Sequence, residues 1–464
     1  MPVTSALPEA QRALSGWGRT AVELNRVVRP RTAGELSGAV SGGASDAIIA
    51  RGCGRSYGDA AQSRDGLVID MTALRDVIAF DSTSGELHVQ AGATVRELLA
   101  LTLPRGWMLP VVPGTQEVTL GGAVASDIHG KNHEHDGTIA RHILSFTLHT
   151  PGAGTLEVDR DHDREIFSAT VGGMGLTGVL ENVSLQLLSV SSPTMLVDND
   201  RTSDLEQTLA VLDGGRERYR YSVAWIDALA GGRGHGRGVV IRANHASADS
   251  LAASDERSAP SGARATRVTV PERFPAALLR SATVRAFNEL HWRLAPKHGR
   301  GKPTGVEPYF FPLDVVGEWN RLYGDGGLLQ YQIVVPPGQE QVLSTVLERL
   351  RQRHVPVYLA VLKRFGPGSE GMLSFPIDGW TLALDLPAAT PAVGETLDEL
   401  DELVAGAGGR VYLAKDARLS AGHLAMMYPE LERWRAVRAR LDPAGAMRSD
   451  LADRLALTNP RASA

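Results

Sequence analysis

The sequence predicts an α+β fold arranged as two domains. Three observations support this. The chain has 464 residues, more than one ordinary hydrophobic core serves. Its first 190 residues carry short strand patterns set between Gly-rich turns, not a regular strand–helix–strand series. Near Ser191 the composition changes, and further on alternating strands are interspersed with amphipathic helices.

Taken in order, residues 1–30 are mixed and lead into the first domain. Residues 35–40 predict a short helix ahead of a buried strand, AIIA at 47–50. RGCGRSYGD follows at 51–59, with Gly52, Gly54 and Gly58 inside seven residues. Glycine admits positive φ and close approach of another group. Such a turn can aim several N–H groups at one anion, and Arg51 and Arg55 add charge beside it. A tight turn with structural glycines explains the same residues. The spacing G-x-G-x-x-x-G misses the dinucleotide fingerprint by one residue, and no P-loop pattern occurs.

Strands are predicted at 66–70 and 87–91, and a capping box opening at Thr94 starts a helix running to about residue 103. PGT at 113–115 and TLGGAVASDIHG at 119–130 come next. Their small residues would let a flat group lie against backbone, although close packing of an element explains them equally well. VGGMGLTG at 171–178 leads into an alternating strand at 179–187. Three Gly-rich segments in one domain suggest a single long ligand with a phosphate portion and a flat ring portion. His129, His133, His135 and His142, with Glu134 and Asp136, offer metal ligands, but their spacing fits no zinc signature. His129 is read as a cofactor or substrate neighbour, the alternative being a solvated loop histidine, and no metal is expected.

Beyond Ser191 a helix is predicted at 204–212. GGRGHGRG at 231–238 and residues 243–267 predict mobile loops, and 297–302 a second basic loop. Basic loops can be plain solvated surface, or can gather an anionic substrate or a membrane surface. The strand 328–335 puts Gln330 and Gln332 on one face, where two amides can read sugar hydroxyls or simply meet solvent. A helix at 342–353, strands at 357–363 and 380–386, and a helix at 397–404 ended by Gly406 follow. RVYLAKD at 410–416 precedes a helix at 429–441 stopped before Pro443.

Composition narrows the class. Apolar residues make up 43% and charged residues 22%, the balance of a globular protein. A net charge of −5 gives no general pull toward nucleic acid. The single cysteine, Cys53, leaves no disulfide within the chain and no CxxC site. No secretory signal is legible, and no apolar run reaches the ~20 residues of a membrane span. A cytoplasmic protein, or one peripheral at a membrane, is expected.

A family resemblance rests on GWGRT (16–20), the segments at 51–59, 113–115, 121–132 and 171–178, FPLD (311–314), GEWNR (317–321), LQYQ (329–332), LSFP (373–376) and AKD (414–416). In this order they resemble the FAD oxidoreductases of the vanillyl-alcohol-oxidase type, and within them the decaprenylphosphoryl-β-D-ribose 2′-oxidase branch, the flavin subunit of a 2′-epimerase. The resemblance spans nearly the whole chain. It implies a two-domain fold: an FAD-binding domain of mixed sheets and helices from residues 1–190 and 410–464, and a substrate domain, 191–409, with an antiparallel sheet flanked by helices. It implies that Gly52, Cys53, Gly54, Arg55, Ser56 and Tyr57 cradle the pyrophosphate, with Arg51 also at the cofactor. Pro113, Gly114, Thr115, Val118, Thr119, Gly121, Gly122, Ala123, Ser126, Ile128, His129, Gly175, Val179, Tyr412 and Lys415 would line the rest of the cofactor. Where several relatives attach flavin covalently through a histidine, this chain has Arg55, so FAD is expected to be non-covalent.

The implied chemistry is hydride transfer from a carbinol carbon to flavin N5. Lys415 is the expected acid–base residue, the alternative being a salt bridge to Asp416. His129 and Lys131 are expected near the ring and substrate, with Tyr57, Trp225, Phe310, Gln330, Gln332, Lys363, Phe365, Thr381 and Ala383 in the substrate pocket. The mycobacterial type has cysteine at Ala383, asparagine at Thr381 and an aromatic hydroxyl at Phe310, where the adjacent Tyr309 leaves the register open. The expected substrate is a lipid-linked sugar phosphate, polyprenylphosphoryl-β-D-ribose, oxidised at C2′. A separate NAD(P)H-dependent keto-reductase would complete epimerisation to the arabinose form, with peripheral membrane contact. The alternatives are an oxidase of a soluble polyol or nucleoside-like sugar using O₂, a flavin-binding structural partner without turnover, and a non-flavin metal protein.

Overall fold

The computed structural model describes residues 7–42, 47–247, 268–272, 274 and 281–458. Three sheets organise it. Residues 7–30, which carry no regular pattern, supply two strands, Ala10–Ser15 and Val22–Val28. The second pairs in parallel with Leu67–Asp70, which pairs in parallel with Ile48–Arg51. Behind this four-stranded sheet Val28, Leu36, Val40, Ile48, Ile69 and Met447 share one buried cluster, so the C-terminal end packs on the first strands. The Ile48 N–H donates to the Ala446 carbonyl at 2.8 Å.

The second sheet is antiparallel throughout and has five strands, in the order Val77–Phe80, Glu86–Gln90, Val179–Gln186, Ile143–Thr150, Gly154–Asp159. The helix Val95–Thr102 begins with the predicted capping box, Thr94 and Glu97 each capping the other's backbone N–H.

The third sheet is antiparallel and has eight strands. Their order is His298–Gly305, Thr194–Thr202, Gly238–His245, Tyr221–Ile226, Leu359–Phe365, Gly379–Pro387, Leu328–Val335 and Arg410–Val411. One face is covered by helices. The Tyr331 hydroxyl reaches Asp401 of the helix Pro391–Gly406 at 3.0 Å, and Ile333 shares a core with Val342 and Leu343 of the helix Glu340–Gln352. Side chains alternate along a strand, so Gln330 and Gln332 face the other way, toward the first domain. The whole is the α+β architecture the sequence predicts.

Several elements differ from expectation. Residues 298–305 form an edge strand, not a loop. Its Gly-, Pro- and Lys-rich sequence reads as loop, but Arg300 and His298 are held by Asp200, and Gly301 N–H donates to Asp198 at 2.7 Å. Residues 243–245 belong to the strand Gly238–His245, while 248–267 lie outside the described residues. The helix expected from 397 starts at Pro391, a residue suited to the first helical position. The helix expected from 429 starts at Leu431. Ser281–Leu294 is a helix that the sequence patterns do not predict.

Candidate active site

The three Gly-rich segments converge on one cavity of about 450 Å³ between the first domain and the open face of the eight-stranded sheet. Gly52 to Tyr57 line it, with Pro113 to Thr115, Val118, Thr119, Gly121 to Ala123, Ser126, Ile128, His129, Met174, Gly175 and Gly178. Val179 stands just behind, fully buried.

The loop after Ile48–Arg51 is held from behind. Arg51 turns inward and donates to the carbonyls of Ala61 at 2.9 Å and Ser15 at 2.7 Å. Gly54 sits at φ 63°, the left-handed region, and a Cβ there would lie 2.3 Å from Arg51 Nη2. Among the described residues the N–H groups of Cys53, Gly54, Arg55 and Ser56 find no acceptor. That is the nest expected for a phosphate. Arg55 lies 4.0 Å above the Trp17 ring, and its Nε is buried without a partner.

The opposite wall comes from the sheet. Antiparallel register puts Gln332 and Val361 opposite Ala383, Gln330 opposite Asp385, and Lys363 opposite Thr381, all on the cavity side. Gln330 Nε2 donates to Asp385 Oδ1 at 2.5 Å and to the Tyr57 hydroxyl at 3.2 Å. Gln332 Nε2 lies 3.0 Å from His129 Nε2 and donates to Thr381 Oγ1 at 3.2 Å. Lys363 Nζ lies 3.0 Å from His129 Nδ1. Lys131 donates to the Tyr309 carbonyl and lies 4.2 Å from the Tyr309 ring. Lys415 Nζ sits 4.0 Å over the Tyr57 ring. Its turn is fixed because Tyr412, itself lining the cavity, donates its hydroxyl to the Ser126 carbonyl at 2.8 Å.

Burial governs the charges here. It lowers Lys415 to about 8, partly opposed by the Asp385 charge. Burial and neighbouring cations bring Lys363 to about 7, and burial alone brings Lys131 to about 7. Burial, with Lys363 beside it, drives His129 well below its usual range, so the imidazole is neutral. Burial lifts Asp385 to about 6, against its hydrogen bond from Gln330. Lys415 is paired through space with Asp385, and Lys363, with Lys131 near it, gives up its proton near neutrality beside the same cavity, which suits a reaction that moves a proton and gathers negative charge. Asp416 is not a partner of Lys415; its carboxylate meets Arg454 at 2.9 Å.

Some expected pocket residues stand elsewhere. Phe365 backs His129, its ring centroid 4.7 Å away. Phe310 packs in the core against Tyr221, so the polar aromatic nearest Lys131 is Tyr309. Trp225 packs on His291 at 4.6 Å, outside the cavity lining. Thr381 lies one layer back, bonded to Gln332. His135 and His142 bond separately to the carbonyls of Tyr219 and Asp136, and Asp136 pairs with Arg220. Asp385 is absent from the sequence-based candidates, although it lies two residues after Ala383 on the same face and strand period alone marks it.

A second cavity of about 480 Å³ adjoins the first, and Trp17, Arg55 and Glu318 line both. Arg19 and Arg321 also face it. Arg19 Nη1 is buried there without a hydrogen-bond partner, but Glu272, Glu318 and Asp325 line the same cavity, with Asp325 3.9 Å from Arg19 and Glu318 3.7 Å from Arg321.

Comparison with known proteins agrees with this geometry. Residues 24–159 match the FAD binding domain family, and residues 341–455 the D-arabinono-1,4-lactone oxidase family. A decaprenylphosphoryl-β-D-ribose oxidase of Mycolicibacterium smegmatis is 38% identical over 460 residues, 98% of this chain and 99% of that protein. An L-gulono-1,4-lactone dehydrogenase of Mycobacterium tuberculosis is 25% identical over 92% of this chain and 95% of its own length. A mitochondrial L-galactono-1,4-lactone dehydrogenase of Arabidopsis thaliana is 28% identical over 43% of this chain and 33% of its own. The residues present fit FAD: free N–H groups stand where a pyrophosphate needs donors, small residues follow at 121–123, and the cavity continues to the polar wall that carries Lys415. The chain is an FAD-dependent oxidoreductase acting on alcohol groups.

Proposed function

The chain belongs to the family of FAD-dependent oxidoreductases that includes decaprenylphosphoryl-β-D-ribose oxidase, and from that premise we propose that it oxidises the C2′ hydroxyl of a polyprenylphosphoryl-β-D-ribose to the 2′-keto sugar. A separate NAD(P)H-dependent keto-reductase then completes epimerisation to the arabinose form, and the lipid tail brings the enzyme to a membrane surface. Residues 1–190 with 410–464 bind the cofactor, and 191–409 bind the sugar.

The single observation that carries this reading is that Lys415, Tyr57, Gln330, His129 and Lys363 line one cavity, with Asp385 bonded to Gln330 behind it. Bound FAD supplies the hydride acceptor. Unprotonated Lys415 takes the hydroxyl proton: the O–H bond breaks, an N–H bond forms, and the C–H electron pair leaves as hydride while C=O forms. Gln330 fixes Asp385 and Tyr57 around that amine. His129, held neutral, and Gln332 orient neighbouring hydroxyls, and Lys131 and Lys363 offset negative charge that builds up in the cavity. Arg55, which borders both cavities, is the cation that meets the substrate phosphate.

Anaerobic flavin bleaching with a panel of lipid-linked and free sugars tests this. Polyprenylphosphoryl-β-D-ribose should bleach the flavin and yield the 2′-keto sugar. Bleaching by xylitol or a free nucleoside alone, with hydrogen peroxide formed in air, would move the enzyme to soluble sugars, a direction the lactone dehydrogenase likeness and the small Thr381 and Ala383 side chains favour.

Non-covalent FAD is the expected state. Burial raises the Cys53 thiol, leaving it a poor nucleophile, and Arg55 offers none. Acid or heat precipitation should therefore release all yellow colour to the supernatant; colour retained in the pellet would contradict this.

A further inference from the structure

We propose that the helix Ser281–Leu294 and the basic strand after it form a face that seats the enzyme on an anionic lipid bilayer. This rests on the reading of the substrate as lipid-linked. Phe287, Leu290 and Leu294 are 60%, 57% and 75% exposed. At the 3.6-residue helical period they fall within about 60° of one another, as a single apolar stripe. The opposite side of the helix is the one that packs inward. Val284 and Asn288 are buried there, Asn288 donating to Asp227 at 2.8 Å, and Trp292 donates to the Thr202 carbonyl at 2.9 Å. The stripe is therefore surplus to the helix's own packing.

Charge selects the occupant. Residues 281–305 hold five cations, Arg285, Arg293, Lys297, Arg300 and Lys302, against a single carboxylate, Glu289, in a chain whose net charge is −5. All five cations are exposed. Arg300 is taken by Asp200 and Arg293 by Glu289, whereas Arg285, Lys297 and Lys302 have no ion pair among the described residues. An apolar stripe beside basic side chains is the signature of a helix lying in the interface of a membrane with acidic headgroups. A second copy of this chain is disfavoured as occupant, since a two-fold contact through this face would bring the cations together.

The face also lies beside the cavity. His291 of the helix packs on Trp225, which is paired with Val361, and Val361 lines the cavity. On the cavity rim Leu313 and Val315 are exposed, as is Val268, whose strand partner Val316 lines the cavity. A lipid-linked sugar would thus pass from the bilayer to Lys415 with its tail still in apolar surroundings.

Co-sedimentation of the FAD-loaded full chain with vesicles decides the matter. Protein should pellet with phosphatidylcholine–phosphatidylglycerol vesicles at low salt, stay in solution with phosphatidylcholine alone, and be released at high salt. The variant F287S/L290S/L294S and the variant R285E/K297E/K302E should each bind at least tenfold more weakly, with unchanged turnover of a short-chain, soluble analogue of the substrate. Wild-type protein left in solution by both vesicle types would overturn the proposal, as would a triple-serine variant that pellets like wild type or a face whose removal changes only the oligomeric state. Vesicle binding needs no sugar, so its failure is separable from failure of the oxidation itself.

Discussion

Lys415→Ala should lower the rate of anaerobic flavin reduction by about 10³-fold while FAD stays bound, the scale of losing a positioned general base. The amine does not hold the fold. It sits 4.0 Å over the Tyr57 ring and has no ion pair among the described residues, so its removal leaves the turn anchored by Tyr412 in place. Rapid-mixing absorbance at the flavin band reads the rate, and the protein-bound visible spectrum reads retention. Full activity in the variant would strip Lys415 of its role. The pH profile gives an independent reading. The active species is the unprotonated amine, and burial puts its pKa near about 8. The rate should therefore rise with pH, reach half-maximum near 8 and level off above it. Asp385, ionised above about 6, holds the lysine proton in place. Asp385→Asn should move the midpoint to lower pH; a midpoint that stays put would mean that the titrating group is another residue.

Gly58→Ala should cost about 3 kcal/mol of stability, at the upper end of overpacking penalties. A Cβ at Gly58 would lie 2.1 Å from the Asp416 carbonyl oxygen and 2.9 Å from Ala417 Cα, so backbone has to yield. This is the junction of three chain segments. Trp17 N–H donates to Ser56 O at 2.7 Å, Gly18 N–H to Tyr57 O at 2.9 Å, and Tyr57 N–H to Ala414 O at 3.0 Å. Arg454 closes the junction by bridging Asp59 and Asp416. The added methyl pushes the 414–417 turn outward and carries Lys415 with it, so the variant should lose most of its reduction rate as well as several degrees of thermal midpoint. A thermal midpoint equal to wild type would show that the turn accommodates the methyl, and that the close approach is not what fixes Lys415.

The three Gly-rich segments that line the cavity are legible in the amino-acid order alone, and for a physical reason. Binding a long anionic ligand by backbone requires glycine and small residues in runs, and runs survive in one dimension. The capping box at Thr94 and the two glutamines on one strand face are local in the same way. What is not legible is whatever depends on a neighbour across the sheet. The strand His298–Gly305 has loop-like composition and becomes a strand because Asp198 and Asp200 on the adjacent strand hold it. Phe310 and Tyr309 differ by one position and are both buried, and only the packing puts Phe310 nearer Tyr221, at 5.0 Å, and Tyr309 nearer Lys131, at 4.2 Å. Trp225 lies on the cavity side of its strand, yet His291 of an unforeseen helix covers it.

By itself the sequence determined the α+β class and the three small-residue segments, because each is written in local composition and spacing, whereas Lys415 was marked only by the family resemblance. Only the tertiary structure decided that Asp385, held by Gln330, acts on that lysine, that three amines lose their protons near neutrality, and that an apolar stripe is left over on the helix beside Trp225. Those properties arise from burial and from contacts between strands tens to hundreds of residues apart, and no window of sequence contains them.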